Sequence, residues 1–445
     1  MLQIYDPRER TLVAAADALL AAGAAVARPL RRRRKPRAPE RILLLRLERI
    51  GDLLMALPGI ATVRQLAPDA RIDLVVGSWN EELARAIPAV DTVETLDAGW
   101  LARDNGGSSV GALFQRAAAW RRRRYDLAIN FEPDIRSNLL LALTRSAWTA
   151  GYRSAGGGAV LDDAIEYDPT AHTSDNARRL AAHAFDTAAP EPAGPLLVLS
   201  EDHERRARLL IGDNNVPKGP LVAMHVSGGR EVKQWDPRRF AEVARALAAR
   251  HGATILLTGS KADRPLVESV KRSLPEGTLI DAANGPELLT LAALLRESDL
   301  LITGDTGPMH LAQAVGTPIV AVFGPSDPRR YAPRGPFDRV IRVDLPCAPC
   351  NRIRLPPARC RGKIPDCLAL VTSDRVFDAA TDILAKTANR SWRAAATERQ
   401  RVPFDFAQGN PEQGRGMKAA MRSASLDDAR DALNDSRRAG DPADK

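Results

Sequence analysis

A short, uninterrupted apolar run followed by a longer segment of helical spacing recurs along most of this chain. From residue 41, "RILLLRL" is such a run, and "GDLLMALPGIATVRQL" follows it with apolar positions every third or fourth residue. A strand that is apolar on both sides must be covered on both sides, so the pattern selects a parallel sheet with helices on each face. The cycle continues through "RIDLVVG", "NEELARAI" and "VDTVETL", then "YDLAINF", "IRSNLLLALT" and "WTAGY". A Pro- and Gly-rich stretch, "DTAAPEPAGPLLVLS" at 186–200, interrupts it. After "HERRARLLIGD" it restarts with "LVAMHV", "PRRFAEVARALAAR", "ATILLTG", "RPLVESVKRSL" and "TLID", and ends with "PELLTLAALLRE", "DLLITG", "PMHLAQAV" and "PIVAVFG". With 445 residues, too many for one core, two doubly wound α/β halves joined by a linker are expected. The expected division is an arm over 1–40, Rossmann-like domains over 41–190 and 191–387, and a polar, largely disordered tail over 388–445.

The arm holds nine Lys or Arg against four Asp or Glu, concentrated in "RRRRK" at 31–35 after an alanine-rich helical segment. That segment is too short and too weakly apolar to span a bilayer, and its charges follow rather than precede it, unlike a secretory signal. A cytoplasmic chain is expected. Two readings of the arm stand: a solvated helix and linker, or attraction to an anionic membrane surface. Nucleic acid is not an expected partner, because the basic run lacks interleaved aromatics and no binding motif accompanies it.

In doubly wound sheets, ligands bind beyond the carboxyl ends of the strands, so the strand-to-helix turns hold the candidate residues. In "RLERIGDLLMALPG", Gly51 allows a tight turn and Asp52 falls at or just inside a helix start, where an N-capping carboxylate worth about 1 kcal/mol is the plain alternative to chemistry. In "HVSGGREVKQWDPRRF", Ser227, Gly228 and Gly229 offer unhindered backbone N–H groups and Lys233 a mobile cation, suited to a phosphate. In "TGSKADRPL", Gly259 and Ser260 form the turn, and Asp263 is placed either to accept from ribose hydroxyls or to cap. In "GDTGPMH", Pro308 predicts a helix beginning around residues 306–308, whose free amides at Thr306 and Gly307 face a diphosphate. Asp305 would orient that turn or a polar group of the ligand, and His310 would donate to a phosphate or sugar hydroxyl. "NFEPDIRSN" is another strand-end turn and offers Arg136 and Ser137. Arg121 to Arg124 form a basic helix end, solvated or turned toward anionic lipid phosphates.

The stretches "RILLLRLERIGDLLMALPGIATVRQLAPDARIDLVVG", "HVSGGREVKQWDPRRFAEVARALA" and "ESDLLITGDTGPMHLAQAVGTPIVAVFGPSDP" resemble the signature regions of glycosyltransferase family 9, the ADP-heptose:lipopolysaccharide heptosyltransferases, over roughly residues 41–380. The resemblance implies a GT-B fold, two Rossmann-like domains facing across a cleft, with acceptor on the N-terminal side and nucleotide sugar on the C-terminal side. It implies inverting transfer of heptose from ADP-heptose to a lipid-linked lipopolysaccharide core saccharide at the inner membrane face, with no cofactor and no bound metal. Carried over residue by residue, Asp52 is the catalytic base, Lys233, Thr306 and Gly307 match phosphate-binding positions, and Asp305 and His310 match residues lining the donor site. From their strand-end turns, Gly51, Arg136 and Ser137 are expected on the acceptor side, and Gly228, Gly229, Gly259, Ser260 and Asp263 on the donor side. The chain departs from many members in having Glu48, Arg49 and Ile50 where Ser or Thr precede Gly-Asp, and His225-Val-Ser-Gly-Gly where His-Pro-Gly-Ala-Ser is common. The competing readings are another nucleotide sugar as donor, a silent nucleotide-sugar-binding or scaffold protein, and an epimerase of similar fold.

All four cysteines, Cys347, Cys350, Cys360 and Cys367, fall in one segment. A reducing cytoplasm disfavours disulfides. A structural zinc is one expectation for them, and reduced thiols in a loop are the other.

Overall fold

A computed structural model describes residues 6–27, 33–101, 107–190, 194–212, 219–275, 277–283 and 285–388. The tail beyond 388, Arg31 and Arg32 of the basic run, and residues 191–193 of the linker lie outside the described residues.

Two all-parallel sheets of six strands each carry the fold. The first consists of β1 (Arg41–Arg46), β2 (Arg71–Val76), β3 (Thr92–Thr95), β4 (Leu127–Asn130), β5 (Trp148–Tyr152) and β6 (Asp163–Ile165), in the order β3-β2-β1-β4-β5-β6. The second consists of β7 (Leu221–His225), β8 (Thr254–Thr258), β9 (Leu279–Ala282), β10 (Leu300–Gly304), β11 (Ile319–Val322) and β12 (Arg339–Ile341), in the order β12-β11-β10-β7-β8-β9. Counted within its own sheet, each order is that of the doubly wound nucleotide-binding fold, with a switch point where the winding reverses. Those points fall between β1 and β4, which pair from Ile42 with Leu127, and between β7 and β10, which pair from Val222 with Leu300.

The central strands are apolar and buried throughout, which is why they read as continuous runs: β1 is exposed only at Arg41, and β7 and β10 nowhere. The outer face of the first sheet packs Leu43 and Leu45 against Trp120 and Leu141 of the helices Val110–Arg122 and Ile135–Leu143. The outer face of the second packs Val222 and Ile255 against Phe240 and Val243 of the Pro237–His251 helix and against Val376 and Ile383 of the Ser373–Thr387 helix. The inner faces of both sheets merge into one core. Leu53, Leu57 and Ile60 of the Ile50–Leu66 helix, Leu180 of Thr173–Ala184, Leu289 and Leu294 of Leu288–Glu297, and Leu311 of Gly307–Val315 all belong to it. The lobes are thus held face to face by buried aliphatic surface, at roughly 25 cal/mol for each Å² removed from water.

Candidate active site

The shared core brings two helix starts together at the mouths of the two switch points. The Ile50–Leu66 helix leaves β1, and the Gly307–Val315 helix leaves β10. At the closest approach, a Cβ on Gly51 would stand 3.2 Å from His310 Cδ2 and 3.9 Å from the Gly307 Cα. A methyl group at 51 would therefore crowd the His310 ring, which would have to give by a few tenths of an ångström, while the facing helix lies at ordinary contact distance. One residue further along, Asp52 sits in the first turn with its side chain 34 % exposed. Its Oδ2 accepts the Arg49 N–H at 3.3 Å, so part of the capping alternative is realised, and the carboxylate still meets solvent at the cleft.

Beneath Asp52 lies a buried cation that the sequence reading did not single out. Arg46, at the end of β1, donates from Nε to the Asp52 carbonyl at 3.2 Å and from Nη1 to the Phe131 carbonyl. It lies 2.8 Å from Glu48 Oε2 and 3.8 Å from Asp52 Oδ1. Burial works against its charge, but Glu48, Asp52 and Glu132 outweigh burial and hold it protonated. Burial lifts the Glu48 carboxyl to about 7, against the pull of Arg46 and with the added repulsion of Asp52 and Asp134. Glu132, in the turn after β4, is likewise pushed well up by burial and by Glu48, against the pull of Arg46 and a hydrogen bond from Trp100. The sequence marks them only as a charge beside an apolar run and an acid in "NFEPD", neither of which reveals burial.

On the second lobe the groups are complementary. Lys233 Nζ donates to Asp305 Oδ2 at 3.0 Å, and the Ser326 hydroxyl donates to the same oxygen. Burial raises the Asp305 carboxyl, yet Lys233, His310 and Ser326 bring it below its ordinary value, so it stands ionised. A carboxylate so engaged fixes the ammonium in place. Thr306 is the N-cap residue of the following helix, in extended conformation, and makes no side-chain cap bond. The amides of the first turn thus stay open to a ligand, with the positive end of the helix dipole behind them. Burial holds His310 below its ordinary value against Asp305 and Asp52, and its Nδ1 is buried without a hydrogen-bond partner.

Gly228 and Gly229 follow β7, adjacent to β10. A Cβ on Gly228 would overlap the Lys233 carbonyl carbon at 2.7 Å, while Gly229 has φ +66° and open space in front of it. Gly259, Ser260 and Asp263 follow β8, one strand farther out. There the capping alternative is realised: Asp263 Oδ2 accepts from Ser260 N at 2.8 Å and Oγ at 2.6 Å, and Ser227 also bonds it. Arg136 reaches the rim, over the Trp100 ring at 5.2 Å and paired with Asp134. Ser137 does not reach the cleft. It is fully buried, accepts from Asn130 Nδ2 at 2.9 Å and donates to the Asp134 carbonyl at 3.0 Å, which corrects its expected acceptor contact.

All four cysteines are free thiols. The four thiols lie near one another: burial, with Cys350, Cys360 and Cys347 beside it, pushes the Cys367 thiol up to about 11. Among the described residues, the group of three whose ligand atoms lie within 4.8 Å of one another is Glu82, His203 and Glu287. The cysteine segment also carries Arg354 close enough to lower the Glu48 carboxyl from across the cleft.

Relatives share this architecture. The chain is 25 % identical to the lipopolysaccharide core heptosyltransferase OpsX of Haemophilus influenzae over 312 residues, covering 69 % of this chain and 85 % of that one. It is 26 % identical to lipopolysaccharide heptosyltransferase 2 of Salmonella typhimurium, covering 68 % and 88 %. The structure of E. coli ADP-heptose lps heptosyltransferase II superposes with a TM-score of 0.64 at 20 % identity, covering 78 % of this chain and all but 1 % of that one. E. coli heptosyltransferase WaaC with ADP superposes with a TM-score of 0.61 at 18 % identity, covering 77 % and 99 %. The sequence profile of glycosyltransferase family 9 (heptosyltransferase) matches residues 114–356, from the helix ahead of β4 through all of the second sheet. Because that match takes in more than half of the chain, the protein belongs to glycosyltransferase family 9 and is a glycosyltransferase.

Proposed function

We propose that the chain transfers heptose from ADP-heptose to a lipid-linked saccharide of the lipopolysaccharide core, inverting the anomeric centre and using no bound metal. The named activities of the relatives support the sugar and the acceptor class, and the ADP complex of a matched structure supports the nucleotide. The observation that carries the reading is the meeting of an acid-bearing helix start with an uncapped one, spaced by Gly51 against His310.

In this reading the diphosphate rests on the Lys233 ammonium and the open amides at the start of the Gly307–Val315 helix, while the Gly228-Gly229 turn lets its backbone approach. The acceptor hydroxyl enters from the first lobe. Its oxygen attacks the anomeric carbon on the face opposite the diphosphate, and Asp52 takes the proton as the new bond forms. The bond from the anomeric carbon to the diphosphate oxygen breaks, and its electron pair leaves with ADP. Asp305 holds Lys233 in position, and neutral His310 offers its ring to a sugar or phosphate oxygen. A lipid-linked acceptor sets this chemistry at the cytoplasmic surface of a bilayer.

Thermal-shift titration with ADP-, UDP-, GDP- and dTDP-sugars, followed by transfer to a heptose-free core lipid, tests the reading. Stabilisation by the ADP sugar and a heptosylated lipid of inverted configuration are expected. Stabilisation by a UDP or GDP sugar alone would overturn the donor. Binding without any glycosylated product would favour a silent binding protein.

A further inference from the structure

The Pro7–Ala27 helix has the composition of a core helix and the position of a surface one. Between residues 11 and 27 its single charge is Asp17, and that carboxylate is turned inward, accepting the Gly157 N–H at 2.7 Å. Val13 packs on the same side, within 2.9 Å of where a Gly156 Cβ would sit. The opposite face presents Leu12, Leu19 and Val26, which are 73 %, 76 % and 74 % exposed. Steps of seven residues drift by only about 20°, so these three form one line along the helix. Only alanines, glycine and threonine separate them on the solvent side, and a helix apolar all round is ordinarily covered.

The charges indicate what covers it. Arg8 and Arg10 stand exposed at one end, and the sequence from 28 to 37 supplies seven more cations at the other. Two of these are committed internally: Arg33 pairs with Asp162 at 2.7 Å, and Lys35 with Asp163 at 3.0 Å and Asp186 at 2.7 Å. They strap the arm to the first lobe, while Arg34 and Arg37 remain exposed. With cations at both ends, two copies laid face to face in either direction would set cation against cation. An anionic surface meets both ends and the apolar line at once. Among the described residues no helix is long and apolar enough to cross a membrane.

We infer that this helix lies on an anionic bilayer with Leu12, Leu19 and Val26 at the headgroup–acyl boundary. Its inner side rests at Gly156 and Gly157, beside Ile135, and Glu9 comes within 3.9 Å of Arg136. The docked helix therefore sits directly over strand-end turns of the first lobe, so a lipid-linked acceptor would reach Asp52 without leaving the membrane. That last step alone rests on the function proposed above.

The test is co-sedimentation of the full chain, without donor or acceptor, with phosphatidylcholine vesicles containing about a third phosphatidylglycerol. Wild type should pellet with these and not with pure phosphatidylcholine, and the L12Q/L19Q/V26Q triple variant should bind at least about tenfold more weakly. All three side chains are exposed, so the variant should melt as the wild type does. Equal vesicle binding by wild type and variant would overturn the inference. So would a wild-type dimer in sedimentation velocity that the triple variant abolishes, because the face would then join two copies. A failed transfer assay leaves this result untouched, since no substrate is present.

Discussion

The two lobes present the same strand order and opposite chemistry. At the first switch point a buried arginine is surrounded by acids, Glu48, Asp52 and Glu132, and one of them, Asp52, reaches solvent. At the second, one acid is surrounded by a lysine, a hydroxyl and a neutral histidine, and its neighbours are open amides. The scaffold dictates where a ligand sits; the two or three residues after each strand decide whether that place takes a proton or holds an anion. In the proposed reading the first lobe accepts a proton from a hydroxyl and the second grips a diphosphate.

The largest expected effect separates those roles. Asp52→Asn keeps the shape of the turn and the Arg49 contact but cannot take a proton, so turnover should fall by about 10²–10⁴-fold. Calorimetric affinity for ADP should stay within about twofold, because the proposed diphosphate site is on the other lobe. An equal loss of binding would merge the two roles and break the comparison.

The converse belongs to the second lobe. Lys233→Ala removes the charged donor and leaves Asp305 buried without its principal counter-charge. ADP affinity should drop by about ten- to a hundredfold, the range for a charge-assisted hydrogen bond. Unchanged affinity would take Lys233 out of the donor site.

A smaller effect tests the acid cluster. Glu48 stands at about 7 in the folded chain, above the ordinary 4.5. Between those values the folded state keeps a proton that the unfolded chain has released, so stability falls as pH rises from about 4.5 to about 7. Glu48→Gln removes this group's part of the slope, while Glu132 keeps its own. Melting curves from pH 5 to 8 should show the variant gaining about 1–3 kcal/mol on the wild type toward the alkaline end. A constant difference would mean that Arg46 keeps Glu48 ionised throughout.

Which of these features could be read in advance follows from how burial writes itself into sequence. Central strands such as β1 and β10 are buried on both faces and appear as unbroken apolar runs. The edge strands β6 and β12 are short and half-buried throughout, so "DAI" and "RVI" carry no such signature and were not anticipated. The turns that bear Asp52 and Lys233, and the helix start at 307, are legible because glycine and proline mark them. Arg46, Glu48 and Glu132 were not, because a charge beside an apolar run looks like a strand end until the strand next to it supplies its partner. Ser137 is the reverse case: a polar residue at a strand end can face inward, as it does into the Asn130 network.

The smallest effect concerns what keeps the two chemistries facing each other. Polar ties cross between the lobes: Asp175 to Arg334 at 2.8 Å, His172 Nε2 to the Ala332 carbonyl at 3.1 Å, and the Glu82 carboxylate to Leu289 N at 2.8 Å. The Asp175–Arg334 pair is 45 % and 48 % exposed at its side chains, where water and salt screen it. The shared aliphatic core beneath has no such competitor. Arg334→Ala should therefore cost less than about 1 kcal/mol in denaturant unfolding. It should also leave turnover and the radius of gyration unchanged, since Leu53, Leu57 and Leu311 remain packed. A large loss of stability, or an expanded particle in solution scattering, would move the hinge of the comparison from the buried helices to the rim.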